Sequence, residues 1–181
     1  MKYKFILPLA LIFSLPLFST PSFAAGGQAH AHIGHVMTSW GDTPKHMGLL
    51  PTAIAEAKIA YTHAKLAAKD TSNLKLMKVH TTHVLNAIDP SLAPKGPGLG
   101  YGVLAAAKGA AAHIGFAAKS KDASKNVKLH AVHVAAAANN TIKRVKKMSA
   151  LAKNILAATS AGQAAPMVKK MVPLAAALNA G

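Results

Sequence analysis

Residues 61–88 read YTHAKLAAKDTSNLKLMKVHTTHVLNAI, and residues 111–138, fifty positions on, read AAHIGFAAKSKDASKNVKLHAVHVAAAA. At that offset His63 falls on His113, Ala67-Ala68 on Ala117-Ala118, His80 on His130 and His83 on His133. The echo reaches further back, where Gly48-Leu49 corresponds to Gly98-Leu99 and Lys58 to Lys108. Self-similarity at a fixed offset marks a repeated supersecondary unit. Alanine, leucine and lysine dominate the chain, and β-branched and aromatic residues are too sparse to build a sheet. The expected fold is all-α: a helical bundle from a duplicated helical hairpin, with an extra short N-terminal helix and a basic C-terminal helical tail.

Working outward, the pattern predicts helices at about 29–40, 51–69, 74–88, 101–119 and 124–147. Pro51-Thr52 opens the second and Asp89-Pro90 closes the third. The repeats span about 51–88 and 101–138, and the helix at 29–40, which carries His32-Ile33-Gly34-His35, is a partial third copy. The segment 149–181 is expected as a basic tail of one or two helices, interrupted near Gly162, Pro166 and Pro173. That gives a leader at 1–24, a His-rich bundle domain at 25–148 and the tail.

The leader is read from Lys2 and Lys4, the apolar run Phe5 to Phe18 and the small-x-small site Ser22-Phe23-Ala24. It predicts an exported protein, periplasmic or secreted. Removing it leaves 157 residues with a formal charge of +14, enough chain for one core. So basic a chain suits anionic partners: a membrane surface, an acidic or redox partner protein, or an anionic cofactor. Export makes nucleic acid the poorest fit. The absence of cysteine excludes disulfides and covalent c-type haem attachment. No nucleophile elbow, phosphate loop or paired-carboxylate arrangement is present, and five acids leave little for acid–base catalysis, so an enzyme is not expected.

His-x-x-His-Val occurs three times, at His32, His80 and His130, and a lone histidine, His63 or His113, precedes each of the last two by seventeen residues. Helical periodicity puts His63, His80, His83, His113, His130 and His133 on the inward faces of their helices. The hairpin turns centre near Thr71-Ser72 and Lys121-Asp122, which sets His63 level with His80 and His113 level with His130. Six imidazoles are then expected in one slab of the interior, joined by His32 and His35. The layout resembles the ligand plan of ferritin-like di-iron bundles over roughly residues 51–138, with each expected Glu replaced by His. That replacement tells against oxygen-activating di-iron chemistry, which needs carboxylates to neutralise and bridge the irons.

Two metal-centred readings follow. In one, paired histidines hold haem b non-covalently for electron transfer or storage, the porphyrin dianion cancelling the iron charge and small residues such as Gly109, Ala110 and Gly115 leaving room. In the other, His-x-x-His and its level partner bind Cu, Zn or Ni for sequestration, with Glu56 in the second shell as the one acid placed to compensate charge. The missing carboxylates tip the choice slightly toward haem. Apart from these, Lys143, Arg144, Lys146 and Lys147, with the basic tail behind them, suggest a surface for an anionic membrane or acidic partner. Buried histidines satisfied by hydrogen bonds are the plain alternative, but few polar groups share their stripes. Trp40 and the turn after it are expected to cap the bundle end.

Overall fold

A computed structural model describes residues 26–181, so the expected leader at 1–24 lies outside the described residues. The chain is all-α: α1 (Gln28–Met37), a 3-10 turn (Pro44–His46), α2 (Leu49–Ala67), α3 (Leu74–Ile88), α4 (Val103–Lys119), α5 (Lys125–Ala157) and α6 (Ala161–Ala180). No strand occurs among the described residues. Three helices start where a short polar side chain takes a backbone N–H of the first turn. Asn73 accepts from Leu76 N at 3.0 Å, Ser124 from Val127 N at 3.2 Å and Ser160 from Gln163 N at 3.3 Å.

The main core gathers Met77, Val84 and Ile88 of α3, Val145, Met148 and Ile155 of α5, and Val168, Met171 and Leu178 of α6 against the alanine stripe Ala60, Ala64 and Ala67 of α2. The segment after Ser149 is therefore not a tail. α5 runs on to Ala157, and α6 is one unbroken helix through Pro166 and Pro173. Each interior proline removes one hydrogen bond, at a cost of about 3 kcal/mol. The buried stripe Ala164, Val168, Met171, Ala175 and Leu178, spaced 4, 3, 4 and 3, holds the helix against the core nonetheless.

The connection between α3 and α4 is tied down by two buried polar side chains. Glu56 accepts from Leu99 N at 3.0 Å, Tyr101 N at 3.2 Å and Gly102 N at 2.9 Å. Asn86 donates to Ala93 O at 2.8 Å and accepts from Gly98 N at 2.7 Å. Gly98 and Gly102 are required here: a Cβ on Gly98 would meet both polar side chains, and Gly102 has φ +83° hard against Pro90.

Candidate metal centres

The contacts between α2 and α4 fix their direction. Leu49 packs on Gly109, while Glu56 reaches Gly102, so the helices run antiparallel. His63 lies one way along this pair and His113 the other. With 1.5 Å per residue, the two are about 27 Å apart along the axis. The expected single slab of imidazoles does not form; the histidines divide between two separate places.

The first place is the α2–α3 hairpin. His63 Nδ1 stands 3.0 Å from His80 Nδ1 and 3.3 Å from His83 Nδ1. This triad is the one the turn symmetry predicts. The second place joins α1 to α4. His113 Nδ1 stands 3.1 Å from His32 Nδ1 and 3.3 Å from His35 Nδ1. In each triad all three potential ligand atoms lie within 4.8 Å of one another and the rings are half-buried.

His113 therefore meets α1, not the His130–His133 pair expected to complete it. Neighbouring residues on a helix point about 100° apart. α5 docks on the side of α4 that carries Ile114 and Ala117, against Ala131, with Ile33 of α1 beside them. His113 is turned away from that contact toward the space α1 fills. His130 and His133 stay on the exposed side of α5, ring centroids 6.2 Å apart, and do not point inward.

Glu56 is also misplaced by the sequence. It is fully buried, but seven residues from His63, and its carboxylate is spent on three backbone N–H groups of the loop before α4. It serves as an anchor for that loop. Lys143, Lys146 and Lys147 are exposed and Arg144 is half-buried, while Val145 among them and Met148 after them are in the core. The apolar side of this segment is already covered, so only its charge faces outward. Among the described residues no helix is long and apolar enough to cross a membrane.

Two features went unread in the sequence. Trp40 is part of the α1 triad's wall, its ring centroid 4.8 Å from His35 and 4.6 Å from His113, with Phe116 5.4 Å from His32. Thr43 fixes the Trp40 turn by donating to Trp40 O at 2.8 Å. Asp122, in the turn before α5, caps α1 from outside: both carboxylate oxygens accept from Ala29 N at 3.2 Å. Gly27 leaves the room for it, since a Cβ there would collide with the carboxylate. The only sequence hint was that α1 starts without a polar N-cap of its own.

In each triad two Nδ1 atoms close on a central one, which suits a metal better than a hydrogen bond. A ring nitrogen carries one proton or one lone pair, so His63 Nδ1 and His113 Nδ1 cannot each make two full bonds to other Nδ1 atoms. Ligand nitrogens about 2.0–2.1 Å from a tetrahedral ion stand about 3.3–3.4 Å apart, close to the spacings here. Protonation is disfavoured as well. Burial lowers the pKa of His63, with His83 and His80 adding to it. Burial and then His83 lower that of His80, and burial, then His35 and His32, that of His113. Neutral imidazole is the form that ligates.

No protein-family model, curated protein or solved structure matches the chain. Two three-histidine clusters able to hold a metal ion are what the chain itself presents.

Proposed function

We propose that this is an exported metal-binding protein with two independent centres, each holding one transition-metal ion through three imidazoles. The observation that carries it is the convergence of Nδ1 atoms at 3.0–3.3 Å in both triads. Copper is the preferred ion, since a site of nitrogen ligands binds it more tightly than its first-row neighbours, with zinc and nickel next. Three ligands leave a fourth position for water or an anion. Half-buried rings and an open position favour capture and hand-over of the ion over a closed structural site. With no acid in either cluster, an ion of low charge or one carrying a bound anion costs least to bury.

Haem does not suit the triads. The two axial nitrogens of bis-His haem stand about 4 Å apart on opposite faces of the macrocycle, with the ring between them. Here the central nitrogen stands 3.0–3.3 Å from each of the other two, with no such gap. The basic surface, in this reading, serves an anionic or redox partner that receives the ion.

The test is uptake by metal-free protein, followed by calorimetry and elemental analysis after desalting. Two tightly held copper or zinc ions per chain are expected at the triads, and the His63→Ala/His113→Ala double variant should retain neither of these. A Soret band in protein as purified, shifting on reduction, would overturn the bare-ion reading. Tight binding unaffected by the double variant would do the same.

A further inference from the structure

His-x-x-His-Val occurs three times, and two copies are completed by a lone histidine on a neighbouring helix, His80–His83 by His63 and His32–His35 by His113. The third, His130–His133, has the same spacing on the same kind of helix and gains no third ligand among the described residues. Both rings are exposed. We propose that this pair is half of a third metal site, completed by the same pair on a second copy of the chain, so that one ion joins two molecules through four imidazoles.

Three observations select a second copy as the occupant. First, the coordination arithmetic closes: two imidazoles one helical turn apart occupy two positions of a tetrahedral ion, and an identical pair fills the other two. A two-fold axis through the ion then sets the same surface on both sides, as a self-complementary contact requires.

Second, the surface around the pair is apolar. Leu129, 58% exposed, lies one turn from His133, and Val134, 36% exposed, one turn from His130, so the two flank the pair on either side of the helix, with exposed Ala136 and Ala137 further along. The alanines allow close approach of two helices.

Third, charge does not stand in the way where it would in most of this molecule. The chain carries a formal +16, yet residues 129–142 of α5 contain no charged side chain. Lys125 and Lys128, just before this stretch, point about 140° and 160° around the helix from His130, and Lys143 is about 20 Å along it, beyond the roughly 8 Å over which physiological salt leaves charges in contact. The deeper half of the same helix, with Val145, Met148, Ala152 and Ile155, is covered by the rest of the chain. In the half that carries His130 and His133 only the Ala131 side is covered, by α4 and α1, and the side with the two histidines faces outward.

The proposal uses none of the triad ligands and stands or falls separately from them. The full chain without its leader is examined by analytical ultracentrifugation at micromolar concentration, with and without a modest excess of Zn(II), alongside zinc counted by elemental analysis. A zinc-dependent dimer is expected, reversed by chelator. The His130→Ala/His133→Ala variant should stay monomeric and bind half an ion per chain less than wild type. Its triads serve as the control for folding, since zinc held at His63 and His113 should be unchanged. The Leu129→Lys variant keeps all ligands and should weaken zinc-dependent dimerisation at least tenfold.

A monomer at every zinc concentration would overturn the proposal. So would a dimer that survives loss of both histidines, which would place the contact elsewhere. A difference of one whole ion per chain without dimerisation would show that each pair binds its ion alone, and would also overturn it. If the triads hold no zinc, the half-ion difference and the dimer still decide this question.

Discussion

The two triads present the same three imidazoles at the same spacing, but they are assembled in different ways. In the hairpin triad the partners are 17 and 20 residues apart, on helices joined by a short turn. In the α1 triad they are 81 and 78 residues apart, and His32 and His35 ride on a ten-residue helix. A helix that short is marginal in water on its own. α1 buries only Ala29 and Val36 fully and takes its cap from Asp122, across 93 residues of sequence. The hairpin triad is therefore organised by local structure, and the α1 triad by docking. Equal ligands then need not mean equal affinity: the α1 site bears the cost of ordering α1 whenever that helix is loose.

The largest expected effect separates the sites outright. Structural zinc contributes about 10–16 kcal/mol through four ligands, so losing one ligand should weaken a site by roughly 10²–10³-fold. His63→Ala should abolish tight binding in the hairpin and leave the α1 site intact; His113→Ala should do the reverse. Trp40 is the chain's one tryptophan and touches only the α1 triad. Its fluorescence should be quenched by Cu(II) in wild type and in His63→Ala, and not in His113→Ala. Quenching that His63→Ala removes would mean that the sites are not independent.

A smaller effect tests the docking itself. Asp122→Ala leaves every ligand in place but uncaps α1, a loss of about 1–2 kcal/mol. That corresponds to roughly 5–30-fold weaker binding at the α1 site and no change in the hairpin. Copper titrations read through Trp40 and through calorimetry would show it. Equal weakening at both sites would refute the difference in assembly drawn above.

Smaller still, at the metal, is the effect of Glu56→Gln. An amide cannot accept from three backbone N–H groups as a carboxylate does, so thermal stability should fall by about 2–4 kcal/mol. The affinity of each site should be unchanged within about threefold, because the carboxylate points at the loop before α4. A selective loss in the hairpin would restore Glu56 to the second shell.

These contrasts follow the line between what the sequence discloses and what it hides. The hairpin triad was legible because counting outward from Thr71-Ser72 sets His63 level with His80 and needs no tertiary information. The end of α3 was legible from Asp89-Pro90. The partner of His113 was not, because α4 is rich in alanine, and alanine is buried equally well on either of two faces 100° apart. Inward and sideways therefore look alike at His113 and Ile114. The α6 prolines misled for a related reason, since their cost is local while the stripe from Ala164 to Leu178 acts through packing. Glu56 reads as a metal neighbour in the sequence because its partners are backbone groups more than forty residues away, which no side-chain pattern reveals.

The finest test is acidification, where the two sites should part company. His63, His80 and His113 have lowered pKa values in the folded protein, while the unfolded chain takes up those protons near the ordinary 6.5. Between 6.5 and the lower folded values the unfolded state binds more protons, so metal-free protein should lose stability as pH falls through that window and be unaffected above it. Both triads contribute such rings, so His63→Ala and His113→Ala should each flatten the acid slope. Acid bears on the ions as well. Protons compete with metal for each imidazole, and rings that take protons less readily hold their ion to lower pH. The α1 site, whose helix must stay docked, should empty first. In copper-loaded protein titrated downward from neutral pH, Trp40 fluorescence should recover while about one ion per chain is still bound. Recovery that waits for the last ion would reverse the order of the two sites.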